Sequence, residues 1–193
     1  MSRCVWLLRH GDTEWTEAGR HTGLHEVPLS ERGRAQAKAA GRLLAGRRFA
    51  AVLVSPQSRA LETCRLAGFG DAAELHDDLV EWDYGEYDGL TDGETQRRHP
   101  GWDLFLHGAP GGESAARIAT RVDRTIAYLR EQRGPCLVVG HGKSLRALAA
   151  RWLGCEVALG RVLPMDPAAI GVLDREQHTP LLRLWNYGGA PPP

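Results

Sequence analysis

The chain has 193 residues, carries no formal net charge, and is 42% hydrophobic and 25% charged. This length and composition are typical of one globular domain that buries a full core, and they exclude an intrinsically disordered chain. The neutral balance creates no overall field toward nucleic acid or an anionic membrane, so we expect neither as a partner. Recognition of an anion must therefore come from a local cluster of charges.

The cysteines and the N-terminus indicate a reducing compartment. The four cysteines lie far apart without a Cys-x-x-Cys pair, which favours structural thiols over a disulfide framework or a zinc site. The first apolar run stops at Arg9 and is too short for a signal peptide, and no window is long enough to span a membrane. We expect a cytoplasmic protein.

The first half of the chain predicts two strands, each followed by a helix. An apolar run over residues 4–8 has the length of a buried strand, and a polar loop then leads to a helix capped by Ser30. A second apolar run over residues 49–54 ends at Ser55 and Pro56, which are typical of an N-cap and a first helical residue. Such runs suit a parallel sheet that is covered on both faces.

The second half completes the sheet. A short strand is predicted around residues 74–76, and the clearest helix begins at Glu113 and Ser114. A buried strand over residues 136–139 precedes another helix, and two later apolar runs predict an antiparallel edge hairpin. These two runs cover residues 169–173 and 181–185.

The predicted elements form one α/β unit. We find no internal repeat and no domain boundary, so residues 1–187 are predicted to be a single domain. Residues 188–193, which contain only Gly, Ala and Pro, are predicted to be a loose tail.

Basic side chains follow three of the predicted strands. Arg9 and His10 follow the first strand, Arg59 lies in the first turn after the second, and His141 follows a later one. The carboxyl ends of parallel strands meet at one edge of a sheet, where ligands bind. Guanidinium groups, imidazoles and a helix N-terminus together make a site for an anion, most naturally a phosphate.

An acidic segment over residues 79–90 interleaves carboxylates with aromatic side chains. A carboxyl group packed against Trp82 or Tyr84 could have a raised pKa and act as an acid. The alternative is a surface loop with aromatic side chains packed beneath it.

Four motifs, in this order, resemble the histidine phosphatase (phosphoglycerate mutase-like) superfamily. They are Leu8-Arg9-His10-Gly11-Asp12-Thr13-Glu14-Trp15, Ser55-Pro56-Gln57-Ser58-Arg59-Ala60-Leu61-Glu62-Thr63, Glu81 before Tyr84-Gly85, and Gly140-His141-Gly142. Segments beyond these motifs are similar to the actinobacterial acid phosphatases of this superfamily and to the fungal sedoheptulose bisphosphatase. The resemblance implies a phosphoglycerate mutase-like fold, a three-layer α/β/α sandwich with a mostly parallel central sheet and an antiparallel edge strand.

The resemblance also implies a catalytic role for five residues. His10 would be the nucleophile that attacks phosphorus, and Arg9, Arg59 and His141 would hold the phosphoryl oxygens. Glu81 would protonate the leaving oxygen and then take a proton from water. Because guanidinium and imidazole groups supply the positive charge, no metal ion and no cofactor are expected.

Four further residues are expected to contact the substrate. Thr16 stands where mutases of the family have Asn, so a hydroxyl replaces an amide, and Thr22 and Gly23 would line the pocket wall. Lys143, beside His141, would meet a second anionic group on the substrate.

These features favour a phosphatase acting on small phosphorylated metabolites. The segment between Glu81 and His141, which helps to enclose the substrate in the mutases, is shorter here. A shorter enclosing segment lets water reach the site more easily, which favours hydrolysis over return of the phosphoryl group. A cofactor-dependent phosphoglycerate mutase is the main alternative. A phosphoprotein phosphatase, a non-catalytic phosphate-binding module and a homodimer also stay open.

Overall fold

The computed structural model describes residues 4–189, in which six strands form one sheet. The strands are β1 (Val5–Arg9), β2 (Ala51–Val54), β3 (Ala73–Leu75), β4 (Cys136–Gly140), β5 (Ile170–Glu176) and β6 (Thr179–Tyr187). The α-helices are α1 (Glu14–Glu17), α2 (Glu31–Leu44), α3 (Ser58–Leu66), α4 (Asp92–Arg98), α5 (Leu104–His107), α6 (Ala115–Glu131) and α7 (Gly142–Trp152). Short 3-10 helices cover Gly70–Ala72, Asp77–Leu79, Gly85–Tyr87 and Val157–Val162.

The sheet has the order β3-β2-β4-β1-β5-β6. The pairings of β3 with β2, β2 with β4, and β4 with β1 are parallel, whereas β5 pairs antiparallel with both β1 and β6. The predicted edge hairpin is therefore formed by β5 and β6. The prediction of a mostly parallel sheet with an antiparallel edge strand is confirmed.

Helices cover both faces of the sheet, which makes three layers. On β1, Leu7 belongs to a core cluster with Ile118 of α6 and Leu145 of α7. The next residue, Leu8, points to the other face and packs in a second cluster with Leu44 of α2. Because both faces are covered, successive strand residues are apolar rather than alternating with polar ones.

The start of α3 differs from the prediction. The helix begins at Ser58 with Gln57 as its N-cap residue, whereas Ser55 and Pro56 lie in the turn before it. Ser55 is fully buried, and its hydroxyl lies 2.8 Å from Nε2 of His141. Because the Ser55 hydroxyl contacts His141, it does not cap the helix as the sequence pattern predicts. By contrast, Ser30 caps α2 as predicted, accepting the N–H of Gly33.

Two glycines let α2 pack directly on the loop that follows β1. A Cβ atom on Gly11 would stand 2.3 Å from the carbonyl oxygen of Gly33, and one on Gly33 would stand 2.0 Å from that of Asp12. Neither distance is physically tolerable, so only glycine allows this backbone contact. The contact fixes the loop next to His10.

The described residues include only the beginning of the predicted tail, because residues 190–193 lie outside them. Gly188 is exposed and directly follows β6. In the described part of the chain, no helix has both the length and the apolar character needed to cross a bilayer.

Candidate active site

The carboxyl ends of three adjacent strands form the floor of the site. In the parallel ladders, Arg9 of β1 is opposite Gly140 of β4, and Val54 of β2 is opposite Val139. The strands end together, so the residues that follow them, His10, Ser55 and His141, meet at one edge of the sheet. The N–H of His10 donates to the carbonyl oxygen of Gly140 at 2.9 Å, which continues the ladder into the site.

His10 is held in one tautomer by its own loop. The ring is 3% exposed, and Nδ1 lies 2.7 Å from the carbonyl oxygen of Gly11. A carbonyl oxygen only accepts hydrogen bonds, so Nδ1 must carry the proton. In the neutral ring, Nε2 therefore keeps its lone pair, which is the form that a nucleophile requires.

The surroundings of His10 keep its ring neutral. Burial first, and then the positive charges of Arg59 and Arg9, hold the pKa of His10 well below its ordinary value of 6.5. An imidazolium would be poorly solvated here and would repel two guanidinium groups. The nucleophilic form therefore persists at mildly acidic pH.

His141 lies against His10. The two rings meet edge to face with centroids 5.1 Å apart, and His141 has no exposed surface. Burial and the charge of Arg59 also lower the pKa of His141 well below its usual range. Its Nδ1 is buried without a hydrogen-bond partner in the described part of the chain, so the ring has a polar atom free beside His10.

Arg59 is fully buried and held by backbone carbonyl groups. Its two terminal nitrogens donate to the carbonyl oxygens of His25 at 2.7 Å and Gly23 at 2.9 Å. Its Nε is buried and has no hydrogen-bond partner among the residues that the structure describes. Burial lowers the pKa of Arg59, yet a guanidinium stays charged in proteins, so the site contains a fixed positive charge.

Arg9 supplies a second guanidinium at the same cavity. One terminal nitrogen donates to the carbonyl oxygen of Met165 at 2.5 Å, and Nε is buried without a partner among residues 4–189. Burial also lowers the pKa of Arg9. The Nε groups of Arg9 and Arg59 and Nδ1 of His141 leave this cluster rich in unsatisfied polar nitrogens, which favours an oxyanion as its ligand.

Glu81 lies at the N-terminus of α7. Its Oε1 accepts the N–H groups of Trp82 and Ser144, each at 2.9 Å, and its Oε2 accepts the N–H of Lys143 at 3.1 Å. The main-chain N–H of Glu81 donates to Oε1 of Gln57 at 2.8 Å. Three hydrogen bonds therefore fix the carboxyl group and a fourth holds the main chain of Glu81, a residue that is 7% exposed at the wall of the cavity.

A cavity of about 180 Å³ opens above His10. It brings together His10, Arg9, Arg59 and Glu81 of the predicted catalytic residues. The remaining lining residues are Thr16, Gly19, Arg20, His21, Thr22, Tyr84, Gly142, Lys143, Arg146 and Met165. His141 does not line the cavity and lies behind His10. The predicted contact residues Thr16, Thr22 and Lys143 do line it.

Two of the predicted contact residues also have local structural roles. The hydroxyl of Thr16 accepts the N–H of Thr13 at 2.8 Å and takes part in the capping box of α1. Gly23 does not line the cavity. It has φ of +49°, a Cβ there would stand 2.0 Å from Oδ1 of Asp88, and its carbonyl oxygen accepts from Arg59 and Gln57.

Sequence reasoning did not assign several of the cavity residues to the site, among them Tyr84 and Arg146. Tyr84 is 3% exposed, and its ring stacks on that of His21 with centroids 4.4 Å apart. Burial raises the pKa of Tyr84 well above its ordinary value, so its hydroxyl stays a neutral donor at the wall. Arg146 lies three residues after Lys143 on α7. This helical spacing places the two side chains on one face, and it is the sequence signal that could have identified Arg146.

The donor groups for a metal ion are not assembled here. Within residues 4–189, no group of three or more His, Cys, Asp and Glu side chains is placed to hold a metal ion.

Comparison with known proteins gives several relatives along most of the chain. An acid phosphatase of Mycobacterium tuberculosis is 39% identical over 191 residues, covering 97% of this chain and 94% of that protein. The sedoheptulose 1,7-bisphosphatase of Saccharomyces cerevisiae is 30% identical, covering 80% and 69%. A 2,3-bisphosphoglycerate-dependent phosphoglycerate mutase of Mesorhizobium japonicum is 36% identical, covering 77% and 80%.

A solved structure and a family model also match most of this chain. The solved structure of an open reading frame product of M. tuberculosis matches with a TM-score of 0.90 at 38% identity, covering 95% of this chain and 96% of that one. The model of the histidine phosphatase superfamily (branch 1) matches residues 5–188. The chain therefore belongs to the histidine phosphatase superfamily and has a phosphoglycerate mutase-like fold.

Proposed function

We propose that the protein is a metal-independent phosphatase that hydrolyses small phosphorylated metabolites through a phosphohistidine on His10. The observation that carries this proposal is the neutral His10 ring, whose Nδ1 proton is engaged by Gly11 and whose Nε2 keeps its lone pair. Two buried guanidinium groups and the carboxyl group of Glu81 line the same cavity. Nucleophile, charge stabilisation and acid–base group thus converge on one point.

In the first step, Nε2 of His10 attacks phosphorus as the bond from phosphorus to the ester oxygen breaks. Arg9 and Arg59 stabilise the negative charge on the phosphoryl oxygens, and the charges are in place before the reaction begins. Glu81, in its protonated form, gives its proton to the leaving oxygen. The products of this step are the free alcohol and a phosphohistidine.

In the second step, a water molecule attacks phosphorus as the bond from phosphorus to Nε2 breaks. Glu81, now a carboxylate, takes a proton from this water, which regenerates its acid form. Inorganic phosphate leaves and His10 returns to its neutral state. Thr16, Thr22 and Gly23 shape the pocket around the phosphoryl group, the last through its carbonyl contact with Arg59.

Removal of metal ions and a mutase assay test this proposal together. Phosphate release from a panel of phosphorylated metabolites is measured with and without EDTA, alongside conversion of 3-phosphoglycerate to its 2-isomer. We expect release that EDTA does not lower, because Arg9 and Arg59 supply the positive charge. Loss of release in EDTA that is restored by added metal would contradict the metal-independent mechanism, and isomerisation without release would establish a mutase.

The pH profile tests the role of His10. Since burial, Arg59 and Arg9 lower the pKa of His10 well below 6.5, the neutral nucleophile is retained as pH falls through 6.5. We expect kcat/KM for p-nitrophenyl phosphate to show no loss from protonation of the nucleophile until the pH is well below 6.5. An acid limb centred at or above 6.5 that depends on His10 would contradict this assignment.

A further inference from the structure

A second cavity adjoins the phosphate pocket. Its volume is about 240 Å³, and it shares four wall residues with the first cavity. These are His21, Tyr84, Lys143 and Arg146. The shared wall gives a substrate whose phosphoryl group lies above His10 room to extend its organic part into the second cavity.

Two positive charges stand at this junction without an acidic partner. Within residues 4–189, no carboxylate lies at ion-pair distance from Lys143 or Arg146. Arg146 donates from Nε to the carbonyl oxygen of Gly160 at 2.7 Å and from one terminal nitrogen to that of Arg161 at 3.0 Å. These bonds fix the guanidinium plane, while the other terminal nitrogen has no hydrogen bond in the described structure.

Both cations also lie near one aromatic ring. Nζ of Lys143 is 5.8 Å from the centroid of Phe105, and Cζ of Arg146 is 4.7 Å from it. Two like charges held close together repel each other. Burial, and then the charge of Arg146, lower the pKa of Lys143 to about 8, so the lysine is still mostly charged at neutral pH.

Of the other charged groups of the second cavity, Arg161 pairs with Asp103 at 2.9 Å. Asp92 lies 3.4 Å from His21, but burial lowers the pKa of His21, so the neutral ring does not cancel the Asp92 carboxylate. The side chain of Asp92 is 89% exposed and screened by water, so the two cations leave the shared wall positive. Such a wall lowers the free energy of an anion and raises that of a cation.

We infer that Lys143 and Arg146 form a second anion subsite, which selects phosphomonoesters whose organic part carries another anionic group, a phosphate or a carboxylate. This inference rests on the proposed function for the orientation of the substrate. It follows from two cavities with a common cationic wall in which neither cation has a carboxylate partner. The first cavity receives the phosphoryl group that is transferred, and the second receives the remaining anion.

Binding without turnover provides the test. Calorimetry on the His10→Ala protein compares 3-phosphoglycerate with glycerol 3-phosphate, and fructose 1,6-bisphosphate with fructose 6-phosphate. The first pair tests a carboxylate and the second a phosphate. A charge-assisted contact predicts that the ligand with the second anion binds about tenfold to a hundredfold more tightly in at least one pair.

Three further variants in the same background assign the effect to the lysine. Lys143→Met should remove most of the preference, because it weakens binding of the ligand with the second anion more than binding of glycerol 3-phosphate. Its backbone N–H still reaches Glu81, so the phosphate pocket is preserved. Lys143→Arg should keep the preference, because it keeps the charge. Lys38→Met, on the exposed side of α2, is the matched control and should leave the preference unchanged.

The outcomes separate this inference from the proposed function. Equal affinity within both ligand pairs, or equal losses for both members of a pair in Lys143→Met, would overturn the subsite. Phosphate release is measured separately on the protein with His10. A protein that shows the binding preference but releases no phosphate would retain the subsite and refute the phosphatase proposal.

Discussion

Replacing His10 with alanine is expected to lower kcat/KM for phosphomonoester hydrolysis by about a thousandfold or more. The imidazole is the only protein group in our mechanism that bonds to phosphorus. The hydrogen bond from Nδ1 to Gly11 keeps the proton on Nδ1, so Nε2 keeps its lone pair. The change also removes a ring that contacts His141. Steady-state kinetics with p-nitrophenyl phosphate measure the loss.

The trapped intermediate makes this prediction specific. After acid-free quenching, the protein with His10 should carry a phosphoryl group that is stable in alkali and labile in acid, as expected for a phosphorus–nitrogen bond. The group should be absent from the His10→Ala protein. His178→Ala, in the exposed turn between β5 and β6, is the matched control and should keep both the activity and the label. A label that persists without His10 would refute the assignment of the nucleophile.

Replacing Arg121 with methionine is expected to lower the free energy of unfolding by about 3–5 kcal/mol. Arg121 of α6 donates to both carboxylate oxygens of Glu113, at 2.7 and 2.9 Å, and both side chains are about nine-tenths buried. Without the guanidinium, the Glu113 carboxylate stays buried and uncompensated. Urea unfolding followed by circular dichroism measures the change.

Arg124→Met provides the matched control on the same helix. Arg124 pairs with Asp78, but its side chain is 60% exposed, so water screens the pair. We expect this variant to lose less than about 1 kcal/mol. A similar loss for the two variants would show that burial does not set the energy of the Arg121 pair.

Arg121 is also expected to act on the position of Glu81. Its guanidinium donates to the carbonyl oxygens of Asp78 at 2.7 Å, Val80 at 2.8 Å and Glu81 at 3.3 Å. In the double variant Glu113→Gln with Arg121→Met, stability should partly recover, because no unpaired charge is left. We expect kcat of the double variant to stay at least about tenfold below that of the unchanged protein, while KM changes little. The backbone around Glu81 has lost the hydrogen bonds that Arg121 donates to it. Recovery of kcat with stability would assign Arg121 a purely structural role.

The local pattern predicted several elements correctly. Short apolar runs marked β1, β2 and β4, since strands covered on both faces need no polar residues. Ser30 was recognised as a cap because its role depends only on the N–H groups of the following turn. The cap predicted at Ser55 failed because the hydroxyl of this residue instead contacts His141, a residue far along the chain.

The sequence predicted which basic side chains meet at the candidate site, but not the groups that support Glu81. Arg9 ends β1, His10 follows it, and Arg59 lies in the first turn of the helix after β2, so the geometry of a parallel sheet alone predicts that they meet. The groups that hold Glu81 could not be found in this way, because Gln57 and Arg121 reach it through contacts between distant segments. Tyr84 was considered only as a neighbour of an acid, whereas the fold places it in the wall of both cavities.

The sequence by itself determined the fold class and the strand ends at which the reactive side chains lie, because strand burial and motif order are properties of short segments. The tertiary structure decided which of the two ring nitrogens of His10 is free and how Arg59 is held. It also decided which cavity wall contains the charges of Lys143 and Arg146. These depend on carbonyl oxygens and cavity walls contributed by other segments. Their positions are set only when the whole sheet and its helices pack together.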